Sequence, residues 1–411
     1  MSFWSEAIES IKRENEMKRN WEYKKLGDVV SFIGDGDWIE SRHQSDNGIR
    51  LIQTGNIGNG VFKAKEDRPH FISESTFDEL GCTEIYEGDC LVSRLPDPIG
   101  RACIIPNMQN RMITAVDCSI LRFQKLISSN FFVYYTRSKR YNKEIENYTT
   151  GSTRKRISRR NLESVQVPIP PLSEQSRIVA ELDLLTGIID KQNAQLKELD
   201  SLAQAIFYDM FGDPIENPKG WEIKKLGDLC VKLTDGTHNS PINTSSGDYP
   251  YITAKNIRKN GIDLSDLTYV TKEVHQEIYS RCNPEFGDVL YIKDGITTGI
   301  AQVNVLDFEF SLLSSVALLK LDKTMANPYF ITGFFNSDSV YKAARSNMGG
   351  AAITRLTLTK LKSFRVVVPP LAFQQSFAEK IQSIEKQKES IRASIADTQK
   401  LLDYTMDKYF G

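Results

Sequence analysis

Two stretches of the chain carry apolar residues spaced alternately four and three apart. The first runs from Pro170 to Gly212 and aligns Ile178, Leu182, Leu185, Ile189, Leu196, Leu199, Ala203, Ile206 and Met210, broken only by Gln192. That spacing predicts a coiled-coil seam, not the broader apolar face of a surface helix. Pro170-Pro171 suits the end of a strand and the first turn of a helix. Ser173, with Glu174 and Ser176 beside it, stands where an N-cap is expected. At 1.5 Å per residue such a helix is roughly 55–60 Å long. Pro369–Gly411 repeats the design, with Phe377, Ile381, Ile384, Ile391, Ile395, Leu402 and Tyr409 as its seam and Lys388, Thr398 and Thr405 as less apolar members. Each position lies 199 residues after its counterpart, so that Ile178 returns as Phe377 and Leu182 as Ile381. The two helices are expected to pair, with Gln192 and Lys388 fixing register and orientation at some loss of stability. Two separate surface helices are the simpler alternative.

Ahead of each helix the pattern changes to short apolar runs between Gly, Asp and Asn turns. In the first copy DVVSFI, IRLIQT, DCLVSR, RACIIP, MITAVDCSILRF and VQVPIP read as strands. Helices are expected at SESTFDEL and SSNFFVYYTRSKRYNKEIENY, and in the second copy at ANPYFITGFFNSDSVYKAARSN. These segments repeat as well. Asn20–Gly36, NWEYKKLGDVVSFIGDG, returns as GWEIKKLGDLCVKLTDG at Gly220–Gly236, and NLESVQVPIPPLSEQ at Asn161–Gln175 returns as KLKSFRVVVPPLAFQ at Lys360–Gln374. The expected fold is α+β: a tandem unit in which a strand-rich domain precedes a long helix, the helices pairing as an antiparallel coiled coil about a pseudo-twofold axis. The expected boundaries are an extension at 1–20, globular domains at 21–169 and 221–368, long helices at 170–212 and 369–411, and a linker at 213–220. In the extension Phe3, Ala7, Ile8 and Ile11 could line one face of a short helix that packs on a neighbour, and a frayed tail is at least as compatible with the sequence. Such an arrangement would hold two domains apart at opposite ends of a rod. The framework repeats better than the loops, which suggests one scaffold with two surfaces.

Composition narrows the chemistry. A length of 411 residues leaves ample room for sizeable cores. No apolar run approaches membrane length and no signal pattern is present, so a soluble cytoplasmic protein is expected. The six cysteines (Cys82, Cys90, Cys103, Cys118, Cys230, Cys282) form no CxxC pair and read as reduced, mostly buried thiols. The four histidines are not spaced as metal ligands. Net charge is −1, so nucleic-acid contact would have to come from local basic patches.

Enzyme motifs are weak. Phe32–Asp37, FIGDGD, lacks nucleotide-loop spacing, and no GxxxxGK[ST] occurs. Glu22 with Lys24, and Glu222 with Lys224, have the ExK form of many metal-dependent nucleases, but they also suit a solvated strand edge. The more telling cluster is STRKRISRR at Ser152–Arg160, with Arg154, Lys155, Arg156, Arg159 and Arg160; upstream, Arg137, Lys139, Arg140 and Lys143 alternate with Tyr134, Tyr135, Tyr141 and Tyr148. Lys and Arg neutralise phosphates, while Arg and Tyr also read or stack on bases. The candidate DNA contacts are therefore Arg137, Arg140, Ser152, Thr153, Arg154, Lys155 and Arg156, with Ser93, Arg94 and Arg101 as another candidate contact loop. In the second copy they are Lys255, Asn256, Lys293, Thr297, Thr298, Thr354 and Arg355. Each small cluster is also compatible with an ordinary turn, and the basic run with a solvated loop.

WEYKKLGD opening a unit, TGSTRKRI ahead of NLESVQVPIPPLSEQSRIV, and a heptad helix, all present twice, resemble the specificity (S) subunit of a type I restriction-modification system. The resemblance spans residues 20–411; the second copy departs from it at GGAAITRL and LAFQQS. It implies two target-recognition domains that each read half of a split double-stranded DNA site. It also implies a coiled coil that sets the gap and docks two methyltransferase (M) subunits, and restriction (R) subunits that join that core. The chain itself would have no catalytic residues and bind no metal or cofactor. S-adenosylmethionine, ATP and Mg2+ would be used by its partners, and flipped bases would enter the M subunits. Two other readings are compatible with the sequence: an S-type chain of a type IIB-like or modification-only system, and a structural coiled-coil adaptor that never touches DNA.

Overall fold

The computed structural model describes residues 21–151, 155–346 and 356–411; the expected N-terminal helix lies outside them. Contacts divide the chain into two compact units, Met1–Lys191 with Ile395–Gly411, and Gln192–Ser394.

In the first unit a four-stranded antiparallel sheet runs in the order Val30–Asp35, Cys118–Phe123, Cys90–Ser93, Ala102–Ile104. A five-stranded mixed sheet stands beside it in sequence, in the order Gln44–Ser45, Phe71–Ile72, Ile49–Ile52, Met112–Thr114, Glu84–Ile85. The opening strand Glu22–Lys25 pairs antiparallel with Gln166–Ile169, so the two ends of the domain are tied where the long helix begins. Helices form at Glu74–Leu80, Ser129–Tyr135 and Lys139–Tyr148, on the segments expected to be helical. The start of DVVSFI is a helical turn, Leu26–Val29, which buries Leu26 and Val29 before the strand starts.

The second unit repeats the four-stranded order with Cys230–Asp235, Val316–Leu321, Val289–Ile292 and Ala301–Val303, and the tie strand with Glu222–Lys225 against Arg365–Val368. Its second sheet is smaller, three strands in the order Thr268–Val270, Tyr249–Ile252, Ser311–Leu312. Helices Pro328–Asn336 and Asp338–Ser346 fill the segment expected to be helical.

The long helices are Leu172–Phe211 and Leu371–Phe410, 40 residues each. Every seam residue, from Ile178, Leu182, Leu185, Ile189, Leu196, Leu199 and Ile206 to Phe377, Ile381, Ile384, Ile391, Ile395 and Leu402, is buried or half-buried. Within each unit the partners run antiparallel. In the first, Arg177 and Glu181 both meet the Tyr409 hydroxyl, at 3.1 and 2.6 Å. In the second, Gln192 donates to Ser394 at 2.7 Å, Lys388 meets Asp200 at 2.7 Å, and the Phe207 and Phe377 rings lie 5.6 Å apart. Lys388 is a seam residue with a buried ammonium, held by Asp200 and Glu385. A one-turn slip would strand it, which gives it the expected role in register.

Helix and domain share one core in each unit. Phe131 packs on Phe410 at 5.4 Å in the first, and the equivalent Phe330 packs on Phe211 at 4.8 Å in the second. The Pro-Pro-Leu-x-x-Gln motif has a physical explanation here. Gln175 is fully buried; its Oε1 accepts from the Ser128 amide at 2.8 Å, and its Nε2 donates to the Leu126 and Pro170 carbonyls. Gln374 makes the same three bonds to Asn327, Met325 and Pro369. Ser173 is not the N-cap: the helix starts at Leu172, and the Pro171 carbonyl accepts from the Glu174 and Gln175 amides.

Candidate nucleic-acid interface

At one end of each four-stranded sheet lies an ion pair with a buried cation, and the segment ahead of the long helix is fastened to it. In the first unit Arg94 Nη1 lies 3.5 Å from Asp35 Oδ2 and Nη2 donates to the Val116 carbonyl. The same carboxylate faces Arg159 at 3.8 Å, and Arg156 meets Asp117 at 3.3 Å. The Ile157 amide donates to the Arg94 carbonyl at 3.2 Å. Thus Lys155–Arg160, the described part of the basic run, is fastened to the sheet end by backbone and by charge. In the second unit Lys293 Nζ meets Asp235 Oδ2 at 3.2 Å, while Arg281 and His238 approach Oδ1 at 3.5 and 3.2 Å. The Leu356 amide donates to the Lys293 carbonyl at 2.8 Å, the same fastening at the same repeat position. The glycine after each aspartate is obligatory. A Cβ on Gly36 would collide with the Thr114 and Ala115 carbonyls, and one on Gly236 with the Leu312 carbonyl.

Six candidate contacts prove to be internal: Ser93, Arg94, Arg101, Asn256, Lys293 and Thr298 are buried, so they build the scaffold instead of facing a ligand. Ser93 donates to the Leu95 carbonyl at 3.0 Å, and Thr298 to the Gly295 carbonyl at 2.6 Å. Arg101 spends its guanidinium on the carbonyls of Ile57, Leu95, Pro98 and Thr54, which binds two loops together. Asn256 accepts from the Thr253 amide at 3.1 Å and donates to the Asp263 carbonyl at 3.1 Å, much as Asn56 does with Gln53 and Lys63. Burial draws the Arg94 and Arg101 guanidinium pKa values below the ordinary arginine value, for Arg94 against the pull of Asp35.

Lys155, Arg156, Arg140 and Lys255 are exposed, while Arg137 and Thr297 are half-buried. Arg140 lies over the Tyr23 ring at 4.2 Å, Arg137 over Tyr134 at 5.2 Å, and Lys255 pairs with Asp266 at 2.8 Å. Ser152, Thr153, Arg154, Thr354 and Arg355 lie outside the described residues. Three of the four tyrosines interleaved with the basic residues are not a stacking surface, and the fourth, Tyr148, is half-buried. Tyr134, Tyr135 and Tyr141 are core residues whose hydroxyls reach Asp183, the Gln166 carbonyl and the Gly100 carbonyl. Burial, then the Asp183 bond, pushes Tyr134 up to about 12. The ExK carboxylates lie on solvated edges, Glu22 facing Lys24 at 3.4 Å and Glu222 facing Lys224 at 3.6 Å. Sequence reasoning passed over Trp38, a tryptophan three residues beyond Asp35 that is 69% exposed. Its signal was a bulky aromatic inside a Gly- and Asp-rich loop.

The profile of the type I restriction modification DNA specificity domain matches residues 18–200 and again 218–397. The chain belongs to that specificity family. The specificity subunit of type I restriction enzyme MjaIX from Methanocaldococcus jannaschii is 22% identical over 397 residues, 90% of this chain and 88% of that protein. The EcoKI specificity subunit from Escherichia coli is 24% identical over 291 residues, 65% of this chain and 61% of that one. Among solved structures, the type I S subunit of M. genitalium covers 95% of this chain and 96% of its own at 14% identity with TM-score 0.54. A chain from a study of type I system assembly covers 95% and 97% at 17% identity and TM-score 0.54. This specificity chain therefore shares its fold with type I S subunits. Among its described residues no helix is long and apolar enough to cross a membrane.

Proposed function

We propose that this chain is the recognition subunit of a type I restriction-modification complex, with each globular domain reading one half of a bipartite double-stranded DNA site. The observation that carries the reading is the duplicated hub. Asp35 with Arg94 and Asp235 with Lys293 hold equivalent loops on equivalent sheets, while the exposed residues differ between the copies. One scaffold with two surfaces suits two unlike half-sites. The paired helices would set the gap between half-sites and dock two methyltransferase subunits, to which restriction subunits add. In the first unit Leu184 and Tyr404 are 65% and 63% exposed on these helices, with Ile188 and Leu401 also exposed, apolar surface of the kind a partner covers. The chain has no catalytic role in this reading; S-adenosylmethionine, ATP and Mg2+ belong to its partners, and the complex works in the cytoplasm. The boundaries proposed for the recognition domains are 21–169 and 221–368.

The deciding experiment is a genome-wide adenine-methylation map of cells carrying this gene with its methyltransferase subunit, against a deletion of this gene alone. A split motif that vanishes on deletion is expected. Exchange of residues 21–169 should change one half of the motif and exchange of 221–368 the other. An unchanged map, with the chain expressed and bound to its methyltransferase partner, would leave an adaptor without DNA readout.

A further inference from the structure

We infer that the loop Gly36–Gln44 of the first unit belongs to its DNA-reading surface, with Trp38 wedged against a base step of the duplex and Lys65 and Arg68 holding the phosphates alongside. This rests on the reading of the chain as a DNA specificity subunit and adds residues that reading did not contain. The Trp38 indole is 69% exposed, and tryptophan, apolar with one N–H donor, is enriched at binding surfaces. Among the described residues its one polar contact is long, an N–H donated to Glu40 at 3.4 Å. The loop is held at both ends. It starts from Asp35-Gly36, where Arg94 and Arg159 converge, and it finishes at Gln44–Ser45, which pairs with Phe71–Ile72. Gln44 Oε1 also meets His70 Nδ1 at 2.9 Å.

Beyond that contact lies a hollow of about 320 Å³, lined by Arg50, Lys65, Asp67, Arg68 and His70 among others. Arg50 is buried and already engaged by Glu66 at 3.2 Å and the Ala64 carbonyl at 2.6 Å. Lys65 and Arg68 are exposed, and among the described residues neither side chain has a hydrogen-bond or ion-pair partner. The loop and the hollow thus carry two unengaged cations, an imidazole and an exposed indole, with Asp67 beside the cations and Glu40 beside the indole, and Arg156 and Arg159 stand at the sheet end paired to Asp117 and Asp35. A DNA duplex whose base step opens to an aromatic wedge presents both phosphates and a π-face, and so answers these groups together. The second unit is finished differently. His238 stands in the place of Trp38 and is tied to Asp235, and the stretch KAKEDRPH at 63–70 is answered by DLSDL at 263–267. The loop and the hollow are therefore specific to one half-site.

The test uses the assembled complex and a duplex bearing its methylation motif. Trp38→Ala should weaken binding about ten- to hundredfold and relax the motif in one half only, while Trp38→Phe keeps most of the affinity. Lys65→Gln with Arg68→Gln should leave the motif unchanged and flatten the dependence of log K on log salt by about 0.9 per lost phosphate contact. Trp38→Ala with wild-type affinity and an unchanged motif would overturn the inference. So would loss of subunit assembly at intact DNA affinity, which would assign the indole to a protein partner. A wild-type complex that marks no sequence would remove the specificity reading itself, a distinct result.

Discussion

At equivalent places the first unit buries Arg94 against an Asp35 that is still 28% exposed, whereas the second buries Lys293 against an Asp235 that is 3% exposed. Arg94 keeps a second acceptor in the Val116 carbonyl and leaves its carboxylate free to face Arg159. Asp235 instead gathers Arg281 and His238 around itself. The fastening of the following segment is the same in both, an amide on the carbonyl of the buried cation. What is shared between the units is therefore what holds the loops, and what differs is what the loops show to solvent. A buried pair can change its cation, from guanidinium to ammonium, as long as the charge and the carbonyl stay in place.

The largest effect that would test this comparison is removal of the carboxylates. Asp235→Ala leaves the Lys293 ammonium buried and unpaired and should cost about 3–5 kcal/mol in urea unfolding. Asp35→Ala should cost less, about 1–3 kcal/mol, because that carboxylate is part-solvated and Arg94 retains an acceptor. Equal losses would break the claim that the second hub is the drier of the two. Next come Gln175→Ala and Gln374→Ala, each of which removes three buried hydrogen bonds to backbone. About 2–4 kcal/mol is expected for either, and a clear inequality would mean that the two helix-to-domain joints are not the same device. Lys388→Met should lie between neutral and about 2 kcal/mol more stable by thermal melting, since a buried seam charge is replaced by an apolar chain of similar length. A strong destabilisation would show that the Asp200 and Glu385 contacts outweigh desolvation.

The smallest effect concerns the thiols. Burial first, then the neighbouring Cys118 for Cys103, raises the pKa of Cys103 to about 12, and burial raises Cys282 to about 12. A raised thiol pKa favours the neutral form, so at pH 8 both units should resist alkylation equally and react only after unfolding. Rapid labelling of Cys282 alone, read by mass spectrometry, would show that the second unit opens more readily.

Much of the scaffold was legible in the chain. The seam was visible because a four-three spacing survives in sequence whatever surrounds it, and Gln192 and Lys388 stood out as its polar breaks. The repeat exposed the Pro-Pro-Leu-x-x-Gln joint, although the three bonds of Gln175 reach back to residues 126–128 and have no local signature. The site was less legible. Arg94, Arg101 and Lys293 look like loop cations in sequence, and only tertiary packing reveals that their charge points inward. Tyr134 and Tyr135 end a helix buried from Phe131 to Tyr135, and Tyr141 lies on the buried side of the next helix, whose other side carries Lys139, Arg140 and Lys143; the sequence runs these together into a pattern that mimics a binding face. Trp38 escaped notice because a single aromatic in a loop has no period to betray it. The pairing of Gln44–Ser45 with Phe71–Ile72 was hidden for the same reason, two residues being too short for a strand pattern.

The backbone fastening at Ile157 and Leu356 bears on how such a protein can change over generations. Each amide is held by a main-chain carbonyl and each side chain is buried in the core of its unit, so the attachment does not draw on the exposed residues of the neighbouring segment. Variation in what is recognised is thereby separated from variation in whether the chain folds. A lineage can explore new DNA targets by altering exposed residues around an unchanged Asp-Gly corner, and most of those trials will remain folded proteins available to selection.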